Sequence, residues 1–152
     1  MKVYTKKWYL NLPISIEKAW IFFSRPENLG KITPPEMQFQ ILNDISSTDM
    51  YEGMMIHYTV KPVWDIPMRW STEITHIKKH EYFVDEQRSG PYALWHHEHH
   101  FESDGQGVKM TDILHYALPL GMLGQAVNQL FVHQKIDGIF AYREKILKEL
   151  FK

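Results

Sequence analysis

From Gly124 to Phe151, apolar residues return at three- and four-residue steps: Val127, Leu130, Phe131, Ile136, Ile139, Phe140, Ile146, Leu147, Leu150 and Phe151. That period, kept for about seven turns, predicts one long amphipathic helix with a continuous apolar stripe. Gly138 weakens it by about 1 kcal/mol, which a helix packed along one face can bear. No other segment is long enough to cover a sheet. Upstream, from Met37 to Tyr116, short runs rich in Ile, Val, Tyr, Trp and Thr alternate with turn signals at Ser46-Ser47, Glu52-Gly53, Lys79-His80, Ser89-Gly90-Pro91 and Asp104-Gly105-Gln106-Gly107. They predict strands over Phe39–Asn43, Met54–Val63, Met68–Ile77, Phe83–Gln87, Leu94–Glu102 and Val108–Ala117, spaced closely enough to pair as antiparallel hairpins. A further strand, Lys2–Leu12, precedes them. Ser15 then caps a short helix carrying Ala19, Trp20, Phe22 and Phe23, and a second helical turn runs from Glu27 to Lys31 before Pro34-Pro35. The expected fold is a single α+β domain over residues 1–152. In it a seven-stranded curved antiparallel sheet grips the C-terminal helix, with two short helices after the first strand.

Composition narrows the functions such a chain can carry. Its 17 basic and 18 acidic residues leave no positive field for nucleic acid. There is no cysteine, which removes disulfides, thiolate nucleophiles, iron–sulfur clusters and cysteine-bound zinc. Met1 to Lys7 has no apolar signal core and no run approaches about 18 apolar residues, so a cytoplasmic protein without stable membrane insertion is expected. Aromatic residues make up 14% of the chain and there are 8 methionines, a supply of broad and adaptable apolar surface that suits a lined cavity.

Period-two alternation assigns the faces of the sheet. In the fifth strand of the central run, Trp95, His97, His99 and Phe101 share one side and His96, Glu98 and His100 the other; the aromatic brackets turn the first set inward. The same reasoning turns Phe83, Asp85 and Gln87 inward, with Met110, Asp112, Leu114 and Tyr116, and with Trp70, Thr72, Ile74 and His76. A buried carboxylate without a partner costs several kcal/mol, so the inward acids and imidazoles must pair with one another, with water or with a ligand. Neighbouring strands bring His97 or His99 within reach of Asp112 or Asp85.

A helix laid on a curved sheet leaves a gap, the usual place for a small molecule. The expected lining is Trp70, Phe83, Asp85, Gln87, Trp95, His97, His99, Phe101, Asp112, Tyr116 and Phe131. Binding of a small apolar molecule is the leading expectation. The alternative is an enzyme using Asp85, His97, His99 or Asp112 as acid and base. His97 and His99 could chelate a metal with Asp112 as third ligand. Because His96 and His100 fall on the other face, the four histidines split into pairs, and neither metal nor cofactor is expected. Arg143 reads as a surface or pairing residue, with an inward contact left open by its place beside Phe140 and Tyr142, and the polar outward sets argue against a protein-interaction face.

The run Phe83-Val84-Asp85-Glu86-Gln87-Arg88-Ser89-Gly90-Pro91-Tyr92 followed by Trp95-His96-His97-Glu98-His99-His100-Phe101 resembles the F-x-D-x-Q-x-x-G-P-[FY]-x-x-W-x-H-x-H-x-F signature of a bacterial branch of the SRPBCC domains. These form the START-like, birch-allergen-like helix-grip superfamily, and the branch is sometimes labelled cell-division-inhibitor-like or polyketide-cyclase-like. Met110-Thr111-Asp112 with Tyr116 to Gly121, and Ile139-Phe140-Ala141-Tyr142-Arg143, are similar to that branch's M-x-D-x-x-x-Y-x-x-P-x-G and I-F-x-Y-R segments. The resemblance runs nearly end to end. It implies a deep cavity for lipids, sterols, polyketides or other apolar molecules, and relatives that catalyse cyclisation, aromatisation or hydration.

Overall fold

The computed structural model describes residues 1–45, 48–62 and 65–152. The turn signal at Ser46-Ser47 and the end of the expected strand at Val63 lie outside the described residues. Strand β1 (Tyr4–Leu12) is followed by helix α1 (Ile16–Phe23), whose Ser15 hydroxyl accepts from the Lys18 amide as the sequence predicts. Two 3-10 segments, Pro26–Ile32 and Pro35–Met37, lead into β2 (Gln40–Ile41) and β3 (Met55–Val60). Then come β4 (Met68–Lys78), β5 (Tyr82–Ser89), β6 (Leu94–Ser103) and β7 (Val108–Ala117). The chain ends in α2 (Gly121–Val127), a π turn (Asn128–Val132) and α3 (His133–Leu150), which together make one uninterrupted terminal helix.

All seven strands join one antiparallel sheet in the order β1-β7-β6-β5-β4-β3-β2, so the meander is closed at one side by the first strand. Two register shifts in the β4–β5 pairing, between Ser71 and Thr72 and between Ile74 and His76, bend this part of the sheet. The second shift overturns one expectation: His76 is exposed rather than inward, because an extra residue reverses the alternation and sends Ile77 toward the core.

Helix α1 plugs one end of the sheet's concave face. Trp20 meets Phe83 and Phe101 edge-on at 6.2 and 5.6 Å between ring centres, and Phe22 meets Phe151 of the helix terminus at 5.1 Å. At the sheet's other side Trp8 of β1 stacks flat on Phe140 of α3, 3.6 Å apart. The terminal helix crosses between these two anchor points.

Its apolar stripe differs from the expectation in the first half. Val127, Leu130 and Phe131 are exposed, as is Leu150 at the far end, whereas Gly124, Asn128, Val132 and Ile136 point inward. The π turn takes one residue more than an α turn and rotates the preceding residues by about 100°, which brings Asn128 and Gly124 into line with Ile136, whereas Leu130 and Phe131 stand well off that face even at α spacing. Gly124 lets this half lie close to the chain leaving β7: a Cβ there would stand 2.1 Å from the Pro119 carbonyl oxygen.

Candidate functional site

Between the concave sheet and the terminal helix lies a cavity of about 850 Å³. Its walls are mostly apolar, from Met37, Val60, Trp70, Trp95, Ile139 and Phe140 among others. One part of the wall is polar, and adjacent strands supply it. Cross-strand register sets Asp85 of β5 opposite His97 of β6, and His99 of β6 opposite Asp112 of β7. All four side chains therefore project from the same face at neighbouring positions.

They form a ring of acid and base with short contacts on three of its four sides. His97 Nε2 stands 2.9 Å from Asp112 Oδ1, and His99 Nδ1 also lies 2.9 Å from that oxygen. His99 Nε2 is 2.7 Å from Asp85 Oδ2, while His97 Nδ1 is 3.6 Å from it, beyond hydrogen-bond range. The two imidazoles sit 3.8 Å apart between centres, with Phe83 stacked on His99 at 4.2 Å and Phe140 edge-on to His97 at 5.5 Å.

The protons follow from this geometry. Burial disfavours charge on His99, but carboxylates on both of its nitrogens outweigh that and raise its pKa. His99 is the imidazolium of the ring and donates from both sides. Burial, joined by the charge of His99, lowers the pKa of His97 although Asp112 and Asp85 oppose it. His97 is thus neutral at pH 7, donating Nε2–H to Asp112 and keeping a lone pair on Nδ1. Burial raises the pKa of both acids, yet hydrogen bonds from the imidazoles prevail and hold Asp112 far below, and Asp85 below, the usual carboxylate range.

A fifth group belongs to the same neighbourhood. Arg143 of α3 lines the cavity, lies over the Phe140 ring at 4.8 Å, and interacts electrostatically with Asp112, Asp85 and Tyr58. Burial lowers its pKa from the usual arginine value, though it stays a cation at neutral pH. Two carboxylates, one imidazolium and one guanidinium sum to zero.

Asp85, His97 and His99 offer donor atoms within 4.8 Å of one another, close enough to hold a metal ion. The third ligand would be Asp85 rather than Asp112, which instead buttresses both imidazoles. A divalent ion there would have to displace the 2.7 Å contact between His99 and Asp85 and share the wall with a guanidinium, two costs that disfavour it.

Of the residues named from the sequence, Trp70, Phe83, Asp85, Trp95, His97, His99, Asp112 and Phe131 line the cavity. Gln87, Phe101 and Tyr116 do not. Gln87 ties down the loop after β5, donating to the Tyr92 carbonyl at 2.7 Å and accepting from the Tyr92 amide at 3.2 Å. Phe101 is sunk between Trp20, Phe23 and Phe83. Tyr116 is fully buried and its hydroxyl donates to Asn128 Oδ1 at 2.8 Å, fastening the π turn to β7. Arg143, expected first as a surface or pairing residue, lines the cavity instead. Its signal was its place in the buried series Ile136, Phe140, Leu147, where a charged residue at helical spacing must face the interior.

The sequence matches no protein-family model and no curated protein. Solved structures are another matter. Protein CV1439 from Chromobacterium violaceum superposes with a TM-score of 0.72 at 13% identity, covering 97% of this chain and 96% of that one. Major latex-like protein 151 from Panax ginseng gives 0.71 at 12% identity, over 98% of this chain and 97% of that one. The chain has the helix-grip fold. A Thalictrum norcoclaurine synthase, solved as a point mutant in complex with a transition-state analogue, shares it at a TM-score of 0.68 and 13% identity, covering 99% of this chain and 98% of its own. No helix among the described residues is long and apolar enough to cross a membrane.

Proposed function

We propose that the helix-grip cavity binds a small, mostly apolar molecule with one polar end. The observation that carries this reading is the 850 Å³ cavity itself, walled mostly by aromatic and aliphatic side chains, with the Asp85, His97, His99 and Asp112 group in its sheet wall. Each 100 Å² of apolar ligand surface taken from water contributes about 2.5 kcal/mol, so the walls supply affinity. The Asp85–His99–Asp112–His97 ring supplies orientation, and it is held by its own hydrogen bonds whether or not a ligand is present.

One observation favours a second reading, an acid–base enzyme of the cyclase or hydratase type. The unprotonated Nδ1 of His97 lies in the cavity wall beside an imidazolium, which pairs a base with an acid. The norcoclaurine synthase shows that the fold can host catalysis in another chain.

The first reading is tested by native mass spectrometry of gently purified protein, followed by solvent extraction. A co-purifying lipid, polyketide-like or aromatic compound is expected. Protein that carries none, and takes none up from a mixture of apolar compounds, would refute it. Turnover lost in His97→Ala while ligand binding persists would establish the second reading over simple binding.

A further inference from the structure

Arg143 has no hydrogen bond or ion pair among the described residues, although its Nε is buried. A guanidinium brings five N–H donors and no acceptor, so Arg143 leaves an unmet demand for acceptor oxygens at the cavity wall. Asp85 and Asp112, the nearest candidates, are committed to the imidazoles and lie outside the 4 Å limit of an ion pair with it.

A second orphan donor belongs to a residue of the same wall. Trp70 lines the cavity with its indole Nε1–H buried and without a partner. The two are neighbours through Tyr58 and Ile139: Tyr58 stacks on Trp70 at 5.8 Å and interacts electrostatically with Arg143, and Ile139, one turn before Arg143, packs in the Trp70 cluster. The Tyr58 hydroxyl has only a long 3.4 Å contact to Thr72. The two buried groups without a partner here, Arg143 Nε and Trp70 Nε1, are both donors.

We propose that Arg143, with the Trp70 indole N–H and the Tyr58 hydroxyl, forms an anion-holding subsite, and that the ligand is an amphipathic acid: an apolar body with a single carboxylate. This rests on the cavity-binding reading and deepens it. The lining accepts negative charge: the ring and Arg143 cancel, and Arg25 and Lys135 also line the cavity, which leaves its wall positive. A carboxylate brings one negative charge near the two fixed carboxylates, where a phosphate monoester would bring up to two. An arginine fork and a carboxylate also match bidentately, which places the head group and leaves the apolar chain to run along Met37, Val60 and Ile139.

The test compares a dansyl-labelled undecanoic acid with its methyl ester by fluorescence titration at pH 7. The native protein is expected to bind the acid about tenfold to a hundredfold more tightly, the range of a charge-assisted hydrogen bond. Arg143→Met is expected to remove this preference by weakening the acid alone. Arg143→Lys should restore part of it. Trp70→Phe, which deletes only the N–H and a little area, should lower acid affinity more than ester affinity and serves if the methionine variant does not fold. Equal affinity of the native protein for acid and ester, or an equal loss of both in Arg143→Met, overturns the anion subsite while the apolar cavity stands. Failure of the native protein to bind either probe overturns the cavity reading with it.

Discussion

Asp112→Asn isolates the strongest polar element of the fold. One carboxylate oxygen serves two imidazoles at 2.9 Å each, and the residue is 8% exposed. Charge-assisted hydrogen bonds of this kind are worth about 1.5–3 kcal/mol apiece, and breaking a buried pair costs about 3–5 kcal/mol after relaxation. The amide keeps the shape and one neutral acceptor but strands the His99 and Arg143 charges with a single counter-ion. A loss of about 3 kcal/mol is expected, or about 10 °C in Tm for a chain of this size. Urea unfolding followed by circular dichroism and tryptophan fluorescence reads it directly.

The pH profile of that loss has a definite shape. Asp112 is depressed in the fold, so its contribution is complete above its unfolded pKa of about 3.9 and disappears as the pH falls through the folded value. His99 is raised, so its contribution is complete below about 6.5 and fades as the pH climbs through the folded value. His97 runs the other way, losing stability as the pH drops below about 6.5, because the fold disfavours its charged form. The gap between native protein and Asp112→Asn is therefore widest from about pH 4 to 7 and narrows on both sides. A variant within about 1 kcal/mol of native at pH 6, or a gap that is flat from pH 3 to 9, would refute the ring as described.

Two further outcomes probe the frame around the cavity. Phe140→Ala removes the ring that stacks on Trp8 and touches His97, and should cost about 3–5 kcal/mol in urea unfolding; a smaller loss would mean that α3 does not rely on β1 for its seat. Gly107→Ala should destabilise by about 1–3 kcal/mol, because its Cβ would fall 2.2 Å from the Leu12 carbonyl oxygen at the hairpin beside β1; unchanged thermal unfolding would contradict that close approach.

Residues whose neighbours share their period were legible in the sequence. Alternation through Trp95, His97, His99 and Phe101 placed the ring on the helix side, since strand pairing leaves opposite residues little freedom. Alternation fails where the backbone gains a residue. The shift between Ile74 and His76 turned His76 outward, and the π turn put Gly124 and Asn128 rather than Leu130 on the inward face. Burial alone also did not separate a cavity wall from packed core. Phe101 and Tyr116 have the same inward phase as His99 and Asp112, but α1 fills the space over Phe101 and Asn128 engages Tyr116. Gln87 was read for its direction, whereas its amide matches the backbone of Tyr92. Arg143 needed the phase of a whole helix, and a lone charged residue in a stripe is easily taken for one at its margin.

The π turn divides the terminal helix into unequal halves. Beyond it, α3 is held through Phe140 on Trp8 and through Leu147 and the terminal Phe151; before it, α2 rests on a glycine and little apolar contact, showing Met122 and Leu123 to water, with the Asn128–Tyr116 bond at the turn itself. Segments with few buried contacts lift at lower cost than the body they lean on. The helix thus has a firmly packed half and a lightly packed half, and the ligand proposed above would exchange past α2 at lower cost than past α3.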